Sequence, residues 1–157
     1  GVYIANSLPA IFFGAFAGIA SDIWAKSKVM LLSNSTRAFF SSLIPITLIS
    51  GRSLYDLKIG YLILLAITFI NSLSTQFFTP AEQSSIPILV KKDHLLAANS
   101  IYQVTTMGAT IFGFALGSPL LRAFNKLSGV FRINGGEFFL LPICYLIASV
   151  FILNLKI

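Results

Sequence analysis

The stretch GAFAGIASDIWAKSK, residues 14–28, follows an opening segment that has no charged side chain. Small residues and then an acid recur in steps of four along this part of the chain: Ala10, Gly14, Gly18 and Asp22. Four residues of an α-helix rise by ~6 Å and return almost to the same face, so these side chains form one narrow ridge. Small side chains on a ridge let two helices approach closely in lipid. Because Lys26 and Lys28 follow at once, the stretch predicts a closely packed membrane helix that ends at water.

The composition also indicates a membrane protein. Of the 157 residues, 56% are hydrophobic and only 10% are charged, whereas soluble domains carry about 25% charged residues. Such a chain has too little polar surface to cover a globule in water. The net charge of +6 is not gathered into a basic face with interleaved aromatic residues, so we expect membrane lipid as a partner and no nucleic acid.

Five apolar segments are each near or above the ~20 residues that cross a membrane as a helix. Their runs are continuous rather than alternating, which excludes a barrel. We therefore expect an all-α fold, a polytopic membrane helix bundle with five transmembrane helices. The predicted spans are 2–21, 29–50, 59–78, 95–121 and 138–155.

The connections between these spans are short and polar, which favours antiparallel neighbours in a single bundle over residues 1–157. Lysines and arginines are divided equally between the two sides, so charge alone does not predict the orientation. The chain starts at Gly1 with no basic region of a signal peptide. We interpret it as a piece of a longer chain.

Two charged residues are candidates for a gate or for coupling to an ion. Arg37 lies inside an apolar span, where a charge is costly unless it is paired, faces water or reaches the interface. It is either a gate residue that pairs with an acid such as Glu82 or an interface anchor. Glu82 is either a proton-coupling acid or gate partner, or it marks the water boundary.

No pattern for catalysis or for a cofactor is found. The chain has no G-x-x-x-x-G-K-[ST] sequence for binding nucleotide phosphates. His94 and Cys144 are its only histidine and cysteine, which leaves no recognisable metal cluster or nucleophilic triad. We expect neither enzymatic activity, nor a metal, nor a cofactor.

The segment GIASDIWAKSK, residues 18–28, resembles the loop signature of the major facilitator superfamily. That signature is a glycine, three residues, an aspartate and a tight basic turn between the second and third transmembrane helices. Ile23 stands where the family usually has arginine. The matching positions, which the resemblance makes a conformational-switch motif together with Gly14, are Gly18, Asp22, Lys26 and Lys28.

A second segment, residues 77–103, resembles the region between the fourth and fifth helices in the branch of bacterial siderophore and drug exporters and lysophospholipid transporters. Together the two resemblances cover nearly the whole chain as helices two to six of twelve, part of the N-terminal half of the fold. They imply that the loops with Asp22 and with Lys91 are cytoplasmic. The matching residues are Pro80, Ala81, Pro87, Leu89, Val90, Ala97, Ala98 and Asn99.

The fourth span has a second ridge of small residues in steps of four. It resembles the glycine-rich fifth-helix motif of antiporters in the same superfamily, with Phe114 where that motif has proline. Plain close packing of two helices explains the ridge equally well. Its residues are Thr105, Ala109, Gly113 and Gly117.

The resemblance implies a secondary active transporter of the cell (inner) membrane. It would export a small organic or amphipathic substrate by alternating access, coupled to protons, with the remaining helices of the parent chain as partners. A lysophospholipid transporter or flippase of the same fold is one alternative. A membrane scaffold subunit that transports nothing is another.

We expect the change Asp22→Asn to reduce transport by the complete protein more than it reduces membrane insertion. The amide keeps the size of the side chain but loses the charge that would meet a basic group or a helix N-terminus. The measurement is the initial transport rate divided by the amount of inserted protein. A wild-type rate in this variant would refute the role of Asp22.

Overall fold

The computed structural model describes residues 2–49, 57–130 and 136–154. These residues form five α-helices, two short 3-10 helices (Lys92–His94 and Gly136–Phe139) and no strand. The result confirms the predicted all-α fold. The α-helices are α1 (Val2–Ile23), α2 (Lys26–Ile49), α3 (Leu57–Leu89), α4 (Leu95–Val130) and α5 (Leu140–Leu153).

Large apolar side chains lie on the outside of the molecule, while small and polar side chains lie inside. Phe114 is 86% exposed, and among the described residues many of the buried side chains are serines and alanines. This is the reverse of a soluble protein and suits a bundle surrounded by lipid. Within the described parts of the chain, three helices are long and apolar enough to cross a membrane: Val2–Ser21, Gly60–Leu89 and Lys92–Leu127.

The centre of the bundle is the pair α2 and α3. Helix α1 packs along α3, and α5 packs along α2 on the other side. Helix α4 touches α3 at few points and otherwise contacts mainly the 3-10 helices at its two ends. None of the apolar window of α4 is buried, so this helix lies at the edge of the part of the bundle that the structure describes.

The contact between α1 and α3 depends on small side chains. Ala17 of α1, a helix that packs mainly against α3, is fully buried, and a Cβ atom added to Gly14 would lie 4.0 Å from Gln76 Oε1 of α3. The Ser72 hydroxyl of α3 donates a hydrogen bond to the Asn6 carbonyl of α1. In lipid, close packing and hydrogen bonds between helices replace the hydrophobic effect as the forces of association.

Helix α3 is longer than the sequence predicts. The polar residues after Phe78 predict a connection there, but the helix continues to Leu89. The reason is packing, because Ala81 is fully buried against Val29 and Met30 of α2. Contact with a neighbouring helix therefore outweighs the polar composition and the prolines of this segment.

The burial of Ala17 generates a prediction about stability. We expect Ala17→Leu to lower the free energy of unfolding of the complete protein by about 1–3 kcal/mol, because the added carbons must push α1 away from α3. The change Ala15→Leu is a matched control, since Ala15 is exposed on the same helix. Unfolding in a detergent titration measures both. Equal losses in the two variants would contradict the packing described here.

Candidate functional site

The buried face of α2 is polar near the middle of the helix. Asn34, Arg37 and Ser41 are spaced by three and four residues, so they share one face, and all three are buried. Arg37 is only 8% exposed. A guanidinium group in the interior of a membrane bundle is costly unless partners stabilise its charge.

The partners of Arg37 come from three helices. Its Cζ atom lies 4.9 Å from the centre of the Phe78 ring of α3 and 5.7 Å from the centre of the Tyr145 ring of α5. Its Nη1 atom donates a hydrogen bond to Asn34 Oδ1 on the same helix, at 3.4 Å. Aromatic faces attract a cation through their negative π-electron density. Arg37 therefore joins α2 to both α3 and α5.

In the described part of the chain, two donor atoms of Arg37 are left without a hydrogen bond. Within the described residues, buried Nε and Nη2 have no acceptor. Unsatisfied donors of a charged group are costly in a buried site. The charge of Glu82 acts on Arg37 electrostatically, and Glu82 follows Phe78 by four residues on the same face of α3. Within the described residues, Nε and Nη2 of Arg37 can thus still donate hydrogen bonds to an acceptor, and Glu82 is the nearby acid.

Helix α4 contacts Glu82 through a hydrogen bond. The Tyr102 hydroxyl of α4 donates a hydrogen bond to Glu82 Oε2 at 3.0 Å, and Glu82 itself is half-buried. Because α4 has few other contacts with α3, this bond is a specific connection between the edge helix and the centre. We call Arg37, Phe78, Glu82, Tyr102 and Tyr145 the arginine–glutamate cluster.

The family of the chain follows from comparison with known proteins. The sequence model of the protein family described as Major Facilitator Superfamily matches residues 2–154. The chain belongs to the major facilitator superfamily. Over 134 residues it is 32% identical to the uncharacterized MFS-type transporter YfiS of Bacillus subtilis (strain 168), covering 85% of this chain and 29% of YfiS. No solved structure matches the chain significantly.

A second relative leads to the same family. The uncharacterized MFS-type transporter YkuC of Bacillus subtilis (strain 168) is 29% identical over 112 residues, which cover 71% of this chain and 24% of YkuC. The chain thus spans less than a third of the length of each of these two relatives. The predicted membership of the superfamily is confirmed, and the apolar helices make it a multi-pass membrane protein.

The first loop signature of the superfamily lies at the turn between α1 and α2. Gly18 is half-buried, and no atom lies within 4 Å of the position of a Cβ added to it. Lys26 is half-buried and Lys28 is exposed. The backbone of Asp22 is in the last turn of α1, but its side chain lies outside what the structure describes. The role of this motif as a conformational switch stays a prediction.

The small-residue ridge of α4 has no neighbour within the described residues. Ala109 and Gly113 are exposed and Gly117 is half-buried. A Cβ atom at either glycine would meet nothing within 4 Å. The ridge therefore faces open space here, and its role in helix packing stays a prediction.

The sequence indicates Arg37 and Glu82 as candidate gate or coupling residues, but its patterns do not identify the aromatic residues around them. The spacing of Tyr102 from the turn between α3 and α4 is a signal that could identify it. Tyr102 lies ten residues after Lys92, and Glu82 lies ten residues before Lys92. Residues at equal distances from the turn of an antiparallel helix pair come level with each other. For Phe78 and Tyr145 the sequence carries no such signal, since nothing local identifies a ring that will meet a buried arginine.

The hydroxyl of Tyr102 provides a test of the cluster. We expect Tyr102→Phe to lower the free energy of unfolding of the complete protein by about 1 kcal/mol, because it removes one half-buried hydrogen bond to a carboxylate and keeps the ring. The change Tyr61→Phe, at an exposed tyrosine of α3, should cost almost nothing. In a Glu82→Ala background, Tyr102→Phe should also cost almost nothing. A loss that persists in that background would show that the hydroxyl acts elsewhere.

Proposed function

We propose that the complete protein is a secondary active transporter of the cell inner membrane, which exports a small organic or amphipathic substrate by alternating access coupled to proton entry. The membership of the major facilitator superfamily supports transport. Both relatives are described as MFS-type transporters. Proton coupling rests on one observation, the arginine–glutamate cluster.

Glu82 is suited to coupling because it interacts with groups on two other helices. As a carboxylate it accepts a hydrogen bond from Tyr102 and attracts the charge of Arg37. A proton on Glu82 removes its charge and therefore most of that attraction. Among the described residues, the charge of Arg37 would then be stabilised mainly by the two aromatic rings and by Asn34. Proton binding would thus alter the force between α3 and its two neighbours, α2 and α4.

Helix α4 is the element that such a change would move most easily. Within the described ranges, its contacts with the α2–α3 pair are few, and its small-residue ridge lies open. In the complete protein, the remaining helices of the chain would pack against this ridge. Small residues allow such a helix to tilt or slide against its neighbour at close distance. The turn with Asp22, Lys26 and Lys28 would favour one of the two states at the cytoplasmic side.

The substrate class can be tested in everted membrane vesicles, in which export becomes uptake. We expect uptake of a soluble organic dye, such as ethidium, to accelerate when a proton gradient is imposed. Fluorescent lysophosphatidylethanolamine is the competing substrate in the same vesicles. Transport of the lipid alone would replace our proposal by a lysophospholipid transporter, and transport of neither would favour a scaffold.

The role of Glu82 makes a separate prediction. We expect Glu82→Gln to abolish the acceleration of dye uptake by the proton gradient while leaving exchange of labelled for unlabelled dye intact, because exchange needs no net proton movement. The glutamine still accepts a hydrogen bond from Tyr102, so the packing of α4 is preserved. The rates of uptake with and without the gradient are the measurement.

The control is Asp93→Asn, which removes an exposed acid from the 3-10 helix between α3 and α4. It should respond to the gradient as the wild type does. A gradient response that survives Glu82→Gln would exclude Glu82 as the coupling acid. Loss of exchange together with the gradient response would mean that Glu82 is needed for the transport cycle itself rather than for coupling, which also contradicts the proposal.

A further inference from the structure

A groove runs along the outside of α2 from the α1–α2 turn towards the middle of the bundle. It consists of two cavities of about 370 Å³ and about 240 Å³. Both are lined by Trp24, Val29 and Leu32, so they adjoin each other. The cavity of about 370 Å³ lies at the turn, and the other lies between α2 and α3.

The end of the groove at the turn is positively charged. Lys28 lines this end and is exposed, and Lys26 is close to it along the chain. Against these two lysines the turn has one acid, Asp22. Trp24, which is 57% exposed, forms part of the same wall. Tryptophan and lysine are the residues that membrane proteins place at the level of the lipid headgroups.

The other end of the groove is apolar. It is lined by Leu73 and Phe77 of α3 and by the side of α2. The hydroxyls of Ser33, Thr36 and Ser74 also line it. Ser33 is buried, and the hydroxyls of Thr36 and Ser74 each donate a hydrogen bond to a carbonyl of their own helix, at 2.8 Å and 2.9 Å. These protons are therefore already used, and this wall has little to offer a polar ligand. It suits a hydrocarbon chain.

We propose that the groove binds one anionic phospholipid, with its phosphate at Lys28 and an acyl chain between α2 and α3. The distance fits, because eight residues separate Lys28 from Thr36, which is about 12 Å along the helix. The charges fit as well, since a lysine at the membrane surface attracts an anionic headgroup. This lipid is a bound partner and not the exported substrate, although Lys28 also belongs to the turn that we propose as a conformational switch.

Trp24 makes the site measurable, because it is the one tryptophan among the 157 residues of this chain. The complete protein is reconstituted with phospholipids that have bromine atoms on the acyl chain, which quench tryptophan fluorescence on contact. The signal of Trp24 is the difference between the wild type and Trp24→Phe. Brominated phosphatidylglycerol, which is anionic, is compared with brominated phosphatidylcholine, which has no net charge.

We expect half-maximal quenching of Trp24 at an about fivefold lower mole fraction of phosphatidylglycerol than of phosphatidylcholine, which is the effect of one lysine at the headgroup level. The change Lys28→Gln should make the two lipids equal, while Lys28→Arg should keep the preference. The matched control is Lys92→Gln, which removes an exposed lysine outside the groove and should leave the preference unchanged.

Four results would overturn the proposal. Equal quenching by the two lipids in the wild type would show that no anionic lipid is selected. A preference that survives Lys28→Gln, or that Lys92→Gln removes to the same extent, would mean that general surface charge causes it. Absence of quenching by either lipid would mean that another part of the protein covers the groove. Transport of dye is not needed for any of these measurements, so they stand apart from the test of Glu82.

Discussion

The whole arrangement depends on one constraint, which is that polar groups inside a membrane must find their partners within the protein. The helices meet this constraint by turning serines, asparagines and alanines inwards and large apolar residues outwards. Many of the hydroxyls bond to a carbonyl one turn earlier, as Ser74 does with Ile70. Asn71 instead bonds between helices, since its Nδ2 atom in α3 donates to Ser41 Oγ of α2 at 3.2 Å. Polar side chains thus help to hold together a bundle that the hydrophobic effect cannot.

Arg37 stands out because it satisfies this constraint only in part. Two aromatic rings and one amide oxygen offset some of the cost of burying its charge, but Nε and Nη2 remain without acceptors among the described residues. A purely structural residue at this position would gain stability as an uncharged side chain of similar size. The retained charge has a physical use only if something near it changes, and Glu82 is the acid whose charge reaches it. This is why the proposed coupling is assigned to Glu82 rather than to the exposed Asp93.

The sequence predicted the fold well because the signals for it are local. Runs of apolar residues identify helices in lipid, and two loop motifs identified the superfamily. The end of α3 was missed because the burial of Ala81 against α2 depends on a distant part of the chain. The sequence predicts only part of the surface through which α1 contacts α3. Gly14 approaches α3 as expected, but the next contact is made by the buried Ala17, whereas Gly18 faces open space. A ridge of small residues shows that another helix can pack closely there. Which of two adjacent ridges makes the contact depends on the position of the neighbouring helix.

The same reasoning explains why α4 differs from the other helices. Helices α1 and α3 bury alanines against their neighbours, whereas the small residues of α4 face open space in the described part of the chain. The chain spans less than a third of its two relatives, so most of what such a protein contains lies outside these residues. If the small-residue ridge of α4 packs against the other helices of the complete protein, α4 lies between those helices and the α2–α3 pair. The hydrogen bond from Tyr102 to Glu82 then connects α4 to α3. A single hydrogen bond is a weak connection, and a proton on Glu82 would weaken it further, because a bond to a charged carboxylate would become a bond to a neutral acid.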